Sequence, residues 1–144
     1  MAKNGFTPGD GNSMKRPYLG RHILVDLYGC DDKILRSREL IRSLLVEAAQ
    51  LAKATIVTEV FHEFNPHGIS GVVVIAESHI AIHTWPEHAC AAVDIFSCGT
   101  KMQPDLIEVF LKEAFQAKES VSRELGRGIA TGAAEPRPQI GLEF

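Results

Sequence analysis

The sequence predicts a two-layer α+β domain, with helices on one face of an antiparallel sheet. Several short segments alternate between apolar and polar residues, two longer segments carry apolar residues at helical spacing, and the central segments are joined by short connections. Because parallel neighbours need long crossovers, short connections favour antiparallel pairing. With 144 residues and 45% hydrophobic composition, the chain is long enough for one domain with a core.

The first third of the chain predicts a leader, a strand and a helix. Residues 1–17 are rich in Gly, Asn, Ser and Pro, and we expect them to form a disordered leader. Residues 18–28 alternate between apolar and polar side chains, which is typical of a strand with one buried face. Residues 33–54 place apolar side chains at helical spacing, and Asp31 or Asp32 is expected to cap this helix.

The remaining segments complete the sheet and its second helix. Short β-branched or alternating segments predict four further strands, at residues 55–64, 72–75, 80–85 and 91–97. A helix is expected over residues 104–118 and a last strand over residues 121–125. The domain is therefore expected to span residues 18–127, and residues 128–144, rich in Gly, Ala and Pro, to form a flexible tail.

Composition and charge narrow the class of function. A formal charge of −3 provides no basic surface of the kind that nucleic-acid binding needs. The sequence shows neither an apolar run long enough to span a membrane nor a secretory signal. Three cysteines cannot all pair with one another, which favours a reduced, cytoplasmic location. We therefore expect no nucleic-acid partner and no membrane partner.

One face of the predicted sheet has no cover if both helices lie on the other face. The apolar strand residues expected on that uncovered face are Val57, Phe61, Ile80, Ile82 and Val93. A second copy of the chain is the simplest cover for such a surface, so the sequence predicts a homodimer.

Reactive side chains concentrate in the strand-like residues 70–99. Ser78, His83 and Cys98 fall near strand ends, and sheet pairing is expected to bring them into one pocket as nucleophile, base and acid. Each has a simpler interpretation when taken singly: a turn serine, a sheet histidine and a small buried cysteine. The sequence around Ser78 is not Gly-x-Ser-x-Gly, so a hydrolase triad fits poorly.

The histidines and cysteines also raise a metal-binding alternative. Nitrogen and sulfur ligands are available at His79, His83, His88, Cys90 and Cys98. The sequence contains no Cys-x-x-Cys pair, and His79 and His83 are well separated if they lie on one strand face. We therefore expect no metal site, and a non-catalytic or metal-binding dimer is the alternative from another class.

Taken together, these segments resemble the signature of the prokaryotic S-adenosylmethionine decarboxylases, which are pyruvoyl enzymes of spermidine synthesis. The most specific blocks are Glu77-Ser78-His79, His83-Thr84-Trp85-Pro86-Glu87 and Cys98-Gly99. Supporting blocks are Gly20-Arg21-His22, Phe61-His62-x-Phe64 and Ser70-Gly71. The resemblance covers residues 18–127.

The resemblance implies that the chain cleaves itself between Glu77 and Ser78. In this family the serine hydroxyl attacks the preceding carbonyl to form an ester, and elimination followed by hydrolysis leaves a pyruvoyl group. His83 corresponds to the histidine that drives this processing, and Ser70 to a serine that assists it.

The resemblance also implies how the mature enzyme works. The pyruvoyl group forms a Schiff base with S-adenosylmethionine and accepts electrons as carbon dioxide leaves. Cys98 corresponds to the proton donor, Phe64 to a ring that stacks on adenine opposite His83, and Glu87 to a carboxylate suited to ribose hydroxyls. The family forms homodimers, four-layer αββα assemblies with active sites at the interface.

The segment after Glu87 departs from the family pattern. The family usually carries an aromatic residue, small residues and a second aromatic, whereas this chain has His88-Ala89-Cys90. Relatives with the same self-cleavage decarboxylate arginine or ornithine. A basic amino acid is therefore the alternative substrate.

Overall fold

The computed structural model describes residues 18–99 and 101–129. The strands are β1 Tyr18–Tyr28, β2 Ile56–Glu63, β3 Ile69–Ile75, β4 Ser78–Trp85, β5 Cys90–Cys98 and β6 Glu119–Ile129. The helices are α1 Asp32–Arg36, α2 Arg38–Leu51, α3 Asp105–Ala114 and a short 3-10 helix Pro86–His88. The six strands form one antiparallel sheet in the order β2-β3-β4-β5-β1-β6. No helix in the described ranges is long and apolar enough to cross a bilayer.

Alternation along the strands decides which side chains face the helices. On β1 the buried face is the predicted one, with Ile23, Val25 and Leu27 in the core. Leu45 of α2 and Ile107 of α3 belong to the same core, which lies between the sheet and the helices. The described helices therefore cover one face of an antiparallel sheet, and the predicted α+β class is confirmed.

The residues expected on the uncovered face are wrong for four of the five positions. Phe61, Ile80, Ile82 and Val93 are buried in the core, and only Val57 is exposed, at an irregularity in β2. A period of two tells which residues share a face, but it does not tell which face meets the helices. The uncovered face, called the open face below, carries the apolar residues Leu24, Val60, Val72, Val74, Trp85, Phe96, Val121 and Leu125.

The helix predicted over residues 33–54 is two helices. Asp31 caps α1, one of the two predicted choices, and Ser37 adopts an extended conformation and caps α2 with its hydroxyl. The break lets α1 approach β4, where the buried Thr84 hydroxyl donates to the Leu35 carbonyl at 2.9 Å. The spacing of apolar residues in the sequence does not indicate this tertiary contact.

The last helix is shorter and the last strand is longer than predicted. Helix α3 ends at Ala114, and β6 pairs with β1 as far as the Tyr18–Ile129 pair. Residues 128 and 129, predicted to begin the tail, therefore belong to the sheet, because the long β1 offers them a partner. The predicted leader over residues 1–17 and the rest of the predicted tail lie outside the described residues.

Candidate active site

Ser78 begins β4 directly after a two-residue hairpin turn, Ala76-Glu77. Ile75 and Ser78 pair across this turn. Such turns favour residues like Asn-Gly that tolerate positive φ. Here the unusual conformation falls on Ser78, whose φ is 151°. Holding a residue with a side chain in a sparsely populated region costs on the order of 1–3 kcal/mol, so the backbone is strained at the Glu77–Ser78 bond.

Hydrogen bonds donated by backbone N–H groups fix both sides of this strained turn. The Ala76 N–H donates to the Thr55 carbonyl at 2.8 Å, and the Thr55 N–H donates to Glu77 Oε2 at 3.1 Å. From β5, the Cys98 N–H donates to the Glu77 carbonyl oxygen at 2.8 Å. A fixed N–H at a carbonyl oxygen stabilises the negative charge that develops when a nucleophile attacks the carbon.

The Cys98 side chain lies beside a glycine of the neighbouring strand. Gly20 pairs with Cys98, and a Cβ at position 20 would lie 2.6 Å from the Phe96 ring and 3.3 Å from Cys98 Sγ. Cys98 is an exposed free thiol at the end of β5. Glycine at position 20 is therefore what allows the thiol and the ring to approach β1.

A second reactive pair joins β3 and β4. Ser70 and His83 are direct partners in the sheet, and Ser70 Oγ lies 2.7 Å from His83 Nδ1. Because this hydrogen bond uses Nδ1, it leaves Nε2 of the imidazole for other chemistry. The His83 ring also packs against Trp85, with ring centroids 6.3 Å apart.

Phe64 and Glu87 lie at the same end of the sheet as Ser70 and His83. Phe64 follows β2 and is 49% exposed, and its ring contacts that of His62 edge-on with centroids 4.6 Å apart. Glu87 lies on the short 3-10 helix directly after β4. An exposed aromatic ring and a carboxylate at the same end of the sheet offer stacking and hydrogen-bonding groups to a polar, ring-containing ligand.

The prediction that Ser78, His83 and Cys98 share one pocket is wrong within a single chain. Ser78 and His83 are five residues apart on β4, which separates them by roughly 16 Å at about 3.3 Å per residue. The reactive residues form two separate groups at opposite ends of β4. The cleavage end consists of Glu77, Ser78 and Cys98, and the binding end consists of Phe64, Ser70, His83 and Glu87.

A cluster of rings borders the cleavage end on the open face. His79 Nδ1 lies 3.5 Å from Ser78 Oγ, and the His79 ring contacts those of His22 and Phe96. Arg127 donates to His22 Nδ1 at 2.9 Å. Burial lowers the pKa of His22, and the nearby positive charge of Arg127 lowers it further although Asp94 opposes both. His22 is therefore neutral at physiological pH.

Other titratable groups do not assemble into a metal centre. Among residues 18–99 and 101–129, no three His, Cys, Asp or Glu side chains are placed to hold a metal ion. Burial raises the pKa of Cys30 to about 11, and the neighbouring Cys90 adds to this shift. The Cys30 thiol therefore stays protonated at neutral pH, as expected of a core residue.

Three residues that contact these two groups were not singled out as functional by the sequence analysis. Thr55 anchors the strained turn through its backbone alone, so its side chain gives no signal. Gly20 stands inside one of the supporting blocks, but its packing against Cys98 requires the strand register. His67 lies 3.0 Å from Glu87, and the two residues are far apart in the sequence.

The sheet, its one-sided helices and the two groups of reactive residues define an α+β protein with chemistry-bearing side chains at both ends of β4. The profile described as S-adenosylmethionine decarboxylase matches residues 21–128. The chain is 49% identical over 120 residues to the S-adenosylmethionine decarboxylase proenzyme of Thermodesulfovibrio yellowstonii, covering 83% of this chain and 89% of that protein. It is 52% identical over 111 residues to the proenzyme of the same name from Acetivibrio thermocellus, covering 77% of this chain and 90% of the relative.

A solved structure agrees with the sequence relatives. The crystal structure of the adenosylmethionine decarboxylase from Aquifex aeolicus matches with a TM-score of 0.75 and 38% identity, covering 83% of this chain and 98% of the other. The chain belongs to the S-adenosylmethionine decarboxylase family.

Proposed function

We propose that the chain is a proenzyme that cleaves itself between Glu77 and Ser78 and then decarboxylates S-adenosylmethionine for polyamine synthesis. The observation that carries the cleavage is the Glu77 carbonyl, which the Cys98 N–H holds beside a strained serine. Family membership and the names of the relatives support the substrate. They do not favour arginine or ornithine. Three free cysteines agree with a reduced, cytoplasmic setting.

Cleavage begins when Ser78 Oγ attacks the Glu77 carbonyl carbon. The C–N bond breaks, the Ser78 amine is released, and an ester joins the two residues. The Cys98 N–H stabilises the oxyanion of this step, and relief of the strained φ favours the product. Removal of the Ser78 α-proton then expels the Glu77 carboxylate. Addition of water and loss of ammonia leave a pyruvoyl group at residue 78.

The pyruvoyl ketone supplies the electron sink for decarboxylation. The residues around it bind the substrate and move protons. Cys98, at the cleavage end, is the proton donor to the substrate carbon after carbon dioxide leaves. At the binding end, Phe64 stacks on adenine opposite His83, and Glu87 accepts hydrogen bonds from the ribose hydroxyls.

A second copy of the chain completes each site. His83 and Ser70 lie too far from Ser78 to act within their own chain, so we assign their processing role to the partner's scissile bond. The open face supports this assembly because Val60, Leu125 and Trp85 expose 64%, 43% and 43% of their surface. A two-fold, face-to-face pairing places the cleavage end of one chain on the binding end of the other. The result is a four-layer αββα homodimer.

Mass spectrometry of the denatured protein tests the cleavage. We expect two fragments, residues 1–77 and residues 78–144, and the second should carry a carbonyl group that hydrazine reagents trap. Release of labelled carbon dioxide from S-adenosylmethionine, compared with arginine and ornithine, tests the substrate. A single intact chain without a reactive carbonyl would refute the proposal.

Complementation between two inactive variants tests the shared site. Ser78→Ala and His83→Ala should each remain uncleaved when produced alone. In mixed dimers the His83→Ala chain keeps its own Ser78 and receives His83 from its partner, so that chain should be cleaved. Chains of different mass report which one is cut. If the His83→Ala chain stays intact in the mixture, or is cleaved alone, His83 does not act across the interface.

A further inference from the structure

We infer that His67 is a positioning residue, which fixes the Glu87 carboxylate for the ribose hydroxyls of the substrate. The inference rests on the proposed function, because it concerns the residue there assigned to ribose. His67 Nε2 lies 3.0 Å from Glu87 Oε2, within hydrogen-bond distance. A ring nitrogen that faces a carboxylate oxygen carries the proton, so the imidazole donates.

The contact leaves one carboxylate oxygen available. His67 engages Oε2, and Oε1 remains to accept a hydroxyl. In the described part of the chain, no other side chain is bonded to the Glu87 carboxylate. Glu87 stands on a helix of one turn, and its side chain is 40% exposed, so His67 supplies the contact that restricts its rotamers.

Contacts within the fold fix the position of the turn that carries His67. The Phe64 N–H donates to the Gly68 carbonyl at 2.8 Å, which closes a tight turn around His67. A Cβ at Gly68 would lie 3.1 Å from the Thr84 carbonyl oxygen, so the turn packs closely against the end of β4. One turn therefore presents both the exposed Phe64 ring and the group that orients Glu87.

Two charged residues of α1, Asp32 and Arg36, lie near the contact between His67 and Glu87. Arg36 Nε bonds the Asp32 carboxylate at 2.9 Å. Arg36 is also close enough to attract the Glu87 carboxylate. The side chain that the structure places within hydrogen-bond distance of the Glu87 carboxylate is nevertheless His67, whereas Arg36 bonds Asp32.

Steady-state kinetics on the processed enzyme test the inference. We expect His67→Ala to raise KM for S-adenosylmethionine by roughly 3- to 10-fold, the effect of ordering one side chain, with kcat and self-cleavage unchanged. His67→Gln should restore most of the affinity, because its terminal amide also donates. His88→Ala is the matched control, since His88 is an exposed histidine on the same short helix as Glu87, and its KM should equal that of the wild type.

The double variant sharpens the test. If His67 acts through Glu87, the variant His67→Ala/Glu87→Ala should have the KM of Glu87→Ala alone. Equal KM values for His67→Ala and wild type, or additive effects in the double variant, would overturn the inference. A lower kcat that Gln does not restore would also overturn it. Failure of the wild-type enzyme to decarboxylate S-adenosylmethionine would instead refute the proposed function.

Discussion

The cleavage end and the binding end are held together by different kinds of contact. The cleavage end relies on backbone: a strained φ at Ser78, the Cys98 N–H on the Glu77 carbonyl, and a glycine that leaves room for a thiol. The binding end relies on side-chain contacts, Ser70 with His83 and His67 with Glu87.

This difference follows from what each end acts upon. The first reaction takes place on the protein's own peptide bond, so the groups that fix the backbone are part of the reacting arrangement. In the proposed second reaction the substrate is a separate molecule, which contacts exposed side chains. Under the proposed function the two ends serve different steps, so variants at the two ends should fail in different ways.

Ser78→Ala should have the largest effect. Without the hydroxyl there is no nucleophile, so the cleavage end should lose all self-cleavage and mass spectrometry should find only the full-length chain. Ser78→Cys keeps a nucleophile and should still be cleaved, at a different rate. Two fragments from Ser78→Ala would show that another group attacks the Glu77 carbonyl.

Cys98→Ala should separate the two functions of residue 98. Alanine retains the backbone N–H that polarises Glu77, so cleavage should proceed. Loss of the thiol should lower the rate of decarboxylation by roughly 10²- to 10⁴-fold, the usual range for a proton-transfer group. Cys90→Ala, which removes a thiol at the other end of β5, is the matched control. Full turnover by Cys98→Ala would remove the thiol from the mechanism.

Gly20→Ala should have an intermediate effect. The new Cβ would lie 2.6 Å from Phe96, so the ring and the adjacent Cys98 thiol must shift. Misplacement by about 1 Å can cost up to 10²-fold in rate, and we expect a loss of roughly 10- to 100-fold in decarboxylation. Thermal denaturation of the same variant controls for a general loss of structure. Wild-type activity would mean that the Cys98 position is not constrained by β1.

Thr84→Val should remove two buried hydrogen bonds that stabilise the binding end. The Thr84 hydroxyl accepts from the Ile69 N–H and donates to the Leu35 carbonyl, each at 2.9 Å. Valine leaves both buried groups unpaired, at about 1–3 kcal/mol each in the free energy of unfolding. Denaturant titration measures this loss, and Thr84→Ser, which keeps the hydroxyl, should recover most of it. Equal stability of Thr84→Val and wild type would contradict this role.

Local patterns in the sequence determined the fold class and the identity of the reactive residues. The alternation from Tyr18 to Tyr28 is a strand with the predicted buried face, and short connections became antiparallel pairs. The blocks around Ser78, His83 and Cys98 led to the family that the comparisons confirm. The sequence shows these features because each of them depends only on residues that are close together in the chain.

Tertiary structure decided which residues meet. The faces of Ile80 and Val93, the break at Ser37 and the distance between Ser78 and His83 all depend on strand register and on where the helices pack. Residue types and spacing do not show whether two side chains share a pocket. Ser78 and His83 belong to neighbouring sequence blocks, but the extended strand holds them at opposite ends of β4. For the same reason, only the folded chain reveals that the reactive residues fall into two groups at opposite ends of β4.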